Sequence, residues 1–121
     1  MKKYYNEGDV IADGDDPHKD FFVCGSISSV GAEGYLVKTL GGHAKIFFEA
    51  AVPLEDVVRH CPDILLVADK ASWEEKGVFI GGVVISQDDT DEKYCIRMSP
   101  NGCGYIPYSK SIKAGEISFR K

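Results

Sequence analysis

The stretch D-F-F-V-C-G-S-I-S-S-V-G-A-E-G-Y-L-V-K-T-L, residues 20–40, decides the fold. Its alternating β-branched and aromatic residues predict two strands, 21–30 and 35–40, joined by the turn Gly31-Ala32-Glu33-Gly34. The second half carries the pattern again. Residues 77–98 read G-V-F-I-G-G-V-V-I-S-Q, then an acidic turn, then K-Y-C-I-R-M. Phe22 aligns with Phe79, Gly25 with Gly82 and Ser29 with Ser86, all at an offset of 57. Ala12-Asp13 matches Ala68-Asp69 at 56, and Tyr35 matches Tyr94 at 59. Val23/Ile80, Ile27/Val84, Val37/Ile96 and Lys38/Arg97 are conservative matches, and the offset changes where loops are expected. A repeat of this kind governs the whole fold. It divides the chain into a first unit, 1–62, and a second, 63–121, which share strands if they form one compact domain.

Outward from this stretch, residues 2–6 read as a leading segment and 8–13 as a short β run. The latter enters a polar loop, Gly14-Asp15-Asp16-Pro17-His18-Lys19, rich in turn formers. Beyond Gly41-Gly42, A-K-I-F-F-E-A-A-V (44–52) predicts a third strand. P-L-E-D-V-V-R-H (53–60) predicts a short helix: proline at the first helical position, acids in the first turn, Arg59 and His60 in the last, Pro62 as the stop. No other segment reads as helix. The second half then supplies strands at 64–69, 78–86, 94–98 and 105–108, with a last strand near 116–120. Trp73 falls in a charged loop beside Glu74 and Glu75, and residues 87–92 form an acidic tip.

Each unit resembles a Tudor-type SH3-like barrel. In the first, the segments that carry the likeness are 8–13, 21–30, 35–40, 44–52 and the P-L-E-D-V start of the helix; the second lacks that helix. The expected fold is therefore mainly β, two tandem small SH3-like barrels with one short helix. The alternative is a single α+β domain with one antiparallel sheet. The resemblance implies a binding module with a cage of aromatic side chains where the first hairpin loop meets the next turn. A cation can sit against such ring faces. The aromatics available are Phe21, Phe22, Tyr35, Phe47 and Phe48 in the first unit, and Trp73, Phe79, Tyr94, Tyr105 and Tyr108 in the second. Alternation puts one of Phe21/Phe22, and one of Phe47/Phe48, into the core, and aromatics commonly fill small β cores. The ligand-contacting set is taken as Trp73, Tyr94, Tyr105, Tyr108, Phe22 and Tyr35. Trp73 leads it, because a tryptophan in a charged loop has little reason to be buried.

Composition bounds the rest. At 121 residues the chain is one domain or two very small ones, and about 60 residues is a marginal size for an isolated core. Small cores and edge strands leave a homodimer open. The formal charge is −5 and 44% of residues are hydrophobic, which fits a globular chain. Residues 1–60 carry six basic and ten acidic side chains, a balance of −4; residues 61–121 carry eight and nine, a balance of −1. Gripping a phosphate backbone needs clustered cations. Only Lys110, Lys113, Arg120 and Lys121 near the C-terminus approach that, and they read as a solvated tail. Cys24, Cys61, Cys95 and Cys103 show no C-x-x-C spacing, and no secretory or membrane-spanning run is seen. The expectation is a cytoplasmic chain with reduced thiols.

No catalytic signature is present: no G-x-S-x-G elbow, no phosphate-binding loop and no dinucleotide fingerprint. The acidic runs 13–16 and 88–92 lack the calcium-loop pattern and read as solvated turns. A zinc site from Cys61, Cys95, Cys103 and a histidine is set aside, because structural zinc ligands come in close pairs. The sequence thus points to a non-enzyme with no cofactor and no metal that binds a protein or peptide partner, a basic one if the acidic loops lie at equivalent ends of the two units. The competing readings are a nucleic-acid-associated protein and an acidic inhibitor or immunity-type protein that covers a basic surface.

Overall fold

The computed structural model describes residues 5–14, 22–99 and 102–117. Among them the chain forms two five-stranded antiparallel sheets. The first holds β1 (Val10–Asp13), β2 (Cys24–Val30), β3 (Gly34–Thr39), β4 (Gly42–Phe47) and β5 (Ala51–Pro53), in the order β4-β3-β2-β1-β5. The second holds β6 (Leu66–Asp69), β7 (Gly81–Asp88), β8 (Lys93–Ser99), β9 (Gly102–Pro107) and β10 (Ser111–Lys113), in the order β9-β8-β7-β6-β10. The two orders are the same. Four strands meander, a single 3-10 turn follows (Phe48–Ala50 or Tyr108–Lys110), and the fifth strand returns to pair with the first.

The register repeats as well. Ile11 pairs with Gly25 and Ala12 with Cys24; Val67 pairs with Gly82 and Ala68 with Gly81. The second strand of each sheet slips register at the same place, between Ile27 and Ser29 and between Val84 and Ser86. Such an irregularity sharpens the local twist. Gly25 and Gly82 allow it by letting the neighbouring backbone come close. A Cβ would meet the Lys38 carbonyl oxygen at 2.2 Å in one sheet and the Arg97 carbonyl oxygen at 2.7 Å in the other.

A mainly β chain in two units was expected, and two sheets are found in place of the single-sheet alternative, but neither sheet is closed by hydrogen bonds into a barrel. Three local expectations are corrected. Residues 44–52 are not one strand: β4 ends at Phe47, the 3-10 turn intervenes, and β5 begins at Ala51. The predicted helix is α1 (Leu54–His60), with Pro53 as its N-cap rather than its first helical residue. The loop around Trp73 is a second helix, α2 (Lys70–Lys76). Asp69 caps α2 by accepting from the Ser72 amide at 3.1 Å and its hydroxyl at 2.6 Å, while Gly77, at φ +68°, closes the other end in the left-handed conformation. At the C-terminal side the last described strand is β10, followed by a 3-10 turn at Ala114–Glu116; residues 118–121 lie outside the described part, as do 1–4 and most of the 14–19 loop.

Three hydrophobic clusters follow from strand alternation. Ile11, Ile27, Tyr35, Val37 and Ile46 pack on one side of the first sheet. Val67, Ile96 and Ile106 do so in the second. The third cluster is shared: Ala12, Phe22, Cys24, Leu54 and Val57 from the first half meet Leu66, Ala68, Phe79 and Val83 from the second. Adjacent residues of β1 thus serve different clusters, Ile11 one and Ala12 the other, as period-2 geometry requires. Hydrogen bonds join the halves at the same place. The Ser26 amide donates to the Phe79 carbonyl at 3.2 Å, and the Phe79 amide donates to the Ser26 hydroxyl at 2.8 Å. Ser26 is buried, and so is the amide it satisfies.

Removing that acceptor strands a buried donor, so Ser26→Ala is expected to destabilise the chain by about 1–3 kcal/mol. Urea unfolding followed by Trp73 fluorescence and by far-UV circular dichroism measures this. Because the third cluster belongs to both halves, the two probes are expected to give one coincident transition.

Candidate functional site

The repeat places one aromatic pair in each sheet. In the first, Tyr35 at the start of β3 meets Phe48 in the following 3-10 turn, ring centroids 5.0 Å apart and nearly perpendicular. In the second, the equivalent residues Tyr94 and Tyr108 meet at 4.6 Å, tilted by 56°. Phe48 and Tyr108 correspond at an offset of 60, a match that sequence reasoning did not draw. Edge-on and tilted contacts suit the ring quadrupoles.

The pairs differ in what covers them. Tyr5 packs edge-on against Tyr35 at 5.8 Å, and its backbone amide donates to the Tyr35 hydroxyl at 3.1 Å. Tyr35 is left 1% exposed. Burial, and then the neighbouring Tyr35, push the Tyr5 phenol above its ordinary pKa. Tyr94 and Tyr108 remain half-buried. They sit against the acidic turn between β7 and β8. There Asp88 accepts from the amides of Thr90 and Asp91, each at 3.0 Å, which is how a short acidic side chain holds a tight turn. The Tyr108 amide donates to the Glu92 carbonyl at 2.8 Å, and the Tyr108 hydroxyl donates to Asp89 at 2.6 Å. The 3-10 turn is thereby fastened to the acidic turn. An ionised phenol beside this carboxylate would lose its hydrogen bond and gain repulsion. The Asp89 hydrogen bond, with burial and charge added, pushes Tyr108 up to about 12. The result is an aromatic surface edged by Asp88, Asp89, Asp91 and Glu92, with Lys93 paired to Asp91 at 3.6 Å.

The other expected contact residues lie elsewhere. Phe22 (4% exposed) and Tyr35 are core side chains with no face for a ligand. Trp73 is carried by α2 rather than a loop, and it packs against the shared cluster, edge-on to Phe79 at 6.4 Å. Its charged neighbours face outward while the indole turns in. Tyr105 is 56% exposed on the opposite face of β9 from Ile106, and the Lys93 ammonium stands 4.4 Å from its ring centroid. The chain's own cation therefore occupies that ring, as Lys45 does for Phe47 at 4.9 Å. Phe21 lies outside the described residues. Of the six, Tyr94 and Tyr108 form a ring pair that stays half-buried.

Of the first acidic run, Asp13 closes β1, whereas 88–92 connects β7 to β8, a place whose counterpart in the first sheet is the turn at 31–34; Asp15 and Asp16 lie outside the described residues. Among the described residues no three His, Cys, Asp or Glu side chains gather in a metal-binding group. None of their helices is long and apolar enough to cross a membrane. Compared with protein-family models, curated proteins and solved structures, the chain matches none.

The raised Tyr108 pKa has a sign. Because the folded value lies above the ordinary phenol value of 10.0, the Tyr108–Asp89 contact contributes stability that is complete below pH 10 and lost as pH climbs toward about 12. In an ultraviolet phenolate titration, Tyr108 is expected to be among the late-ionising tyrosines, with Tyr5, and Asp89→Asn is expected to return Tyr108 alone toward the ordinary range.

Proposed function

We propose that the chain is a non-catalytic cytoplasmic binding module of two SH3-like, Tudor-type units, and that Tyr94, Tyr108 and Asp89 take a cationic side chain of a protein or peptide partner. One observation carries this reading: the same aromatic pair occurs twice, covered by Tyr5 in the first unit and bordered by carboxylates in the second. A ring face draws a lysine or arginine electrostatically, and adjacent carboxylates add to the attraction. The pair lies where the β7–β8 turn meets the turn after β9. The net charge of −5 favours fast encounter with a basic partner, an effect on association rate more than on affinity.

An NMR titration tests this. With a lysine- and arginine-rich peptide, amide shifts are expected around Tyr94, Tyr108 and Asp89. Tyr94→Ala is expected to weaken binding by roughly 2- to 30-fold, the ~0.5–2 kcal/mol of a cation–π contact. Shifts confined to other surfaces, or a response to single-stranded oligonucleotide in place of the peptide, would sink the proposal.

A further inference from the structure

The β3–β4 hairpin presents a face that neither the core nor the aromatic site uses. In its ladder Gly34 lies opposite Phe47, Leu36 opposite Lys45 and Lys38 opposite His43. Period-2 alternation sets these residues on one face, away from Tyr35, Val37 and Ile46, which fill the first cluster. β4 is also an outer edge of its sheet. Phe47 is 48% exposed and Leu36 37%, and His43 and Lys45 are exposed beside them. Exposed apolar residues rimmed by charge mark interaction surfaces.

The charge on this face runs against the rest of the chain. From Gly34 to Phe48 there is no carboxylate, while Lys38 and Lys45 bring two cations to a chain of net charge −5. Lys45 stands 4.9 Å from the Phe47 ring centroid and 3.6 Å from Glu33, in the turn before β3. The opposite composition lies at 88–92, where Asp88, Asp89, Asp91 and Glu92 edge the Tyr94–Tyr108 pair. Among the described residues no salt bridge joins the two regions within one chain. Each therefore carries the charge and the kind of side chain that the other, on a second copy, would take.

We infer that the chain self-associates head to tail, the β3–β4 face of one copy docking on the acidic turn of the next and carrying Lys45 to its Tyr94–Tyr108 pair. This rests on the reading of that pair as a cation site and names a second copy as its partner. The ammonium meets ring faces there, with carboxylates around them, while Phe47 and Leu36 lose water against the partner. What Lys45 gives up is small, because its ion pair with Glu33 is solvent-exposed. The two surfaces differ, so the contact is heterologous and leaves one of each unfilled at the ends of a row.

Sedimentation velocity of the full chain over a range of concentrations tests this. Mass is expected to rise with concentration and to fall back as salt screens the contact. Lys45→Glu and, separately, Asp91→Lys are each expected to weaken association at least about 10-fold, because each sets like charges together. Both positions are exposed, and unchanged circular dichroism verifies that each variant folds. An equimolar mixture of the two variants is expected to recover association, since one keeps the acidic turn and the other keeps the hairpin face. A monomer at every concentration, association indifferent to both substitutions, or a mixture that stays monomeric would overturn the inference. Lys45→Glu leaves Tyr94, Tyr108 and Asp89 in place, so titrating that variant with the lysine- and arginine-rich peptide separates the two conclusions. Peptide shifts at the pair, beside an unsubstituted chain that stays monomeric, remove only the second copy as partner; their absence removes the cation site and this inference with it.

Discussion

The buried exchange between Ser26 and Phe79 ties the structure together. Two hydrogen bonds cross from one half of the chain to the other, where Phe79 also enters a hydrophobic cluster built from both. A sheet of about 60 residues has too little interior to be comfortable alone. The chain meets that limit by giving each sheet a small private cluster and placing the largest one in common. β1 and β6 then need apolar residues on both faces, which explains why Ile11-Ala12 and Leu66-Val67-Ala68 are buried without a polar alternate. The alanines stand in the shared cluster, where a larger side chain would push the halves apart.

Where each half is regular, the sequence announced it. The matched pairs Phe22/Phe79, Gly25/Gly82, Ser29/Ser86 and Tyr35/Tyr94 take equivalent places along two units of one strand order, and the glycines and phenylalanines do so because each carries a backbone or packing requirement. The glycines stand where a carbonyl of the next strand comes close, and the phenylalanines reach the common cluster. α1 was visible for a similar reason, since proline, acids and bases fell in helical order along P-L-E-D-V-V-R-H.

What stayed hidden depended on tertiary context. Seven residues make a helix too short to show periodicity, so α2 was legible only through its ends, Asp69 as the cap and Gly77 as the stop. Read as a loop, it made Trp73 look like a surface contact, whereas the indole covers Phe79. The run A-K-I-F-F-E-A-A-V is apolar enough for one strand, and only the return of β5 to β1 requires the break at Phe48. That break brings Phe48 to Tyr35, and its counterpart brings Tyr108 to Tyr94. The site therefore depends on a turn that local propensity does not mark.

Tyr5 makes the two copies of that turn unequal before natural variation. In the first unit, Tyr35 is held on all sides, so a change there disturbs packing and the hydrogen bond from Tyr5 together. In the second, Tyr94 and Tyr108 can vary with less damage to the interior. Carrying the turn twice separates two demands that a lone copy must reconcile. One copy is committed to the interior, and the other tolerates change at its rings without unfolding the chain.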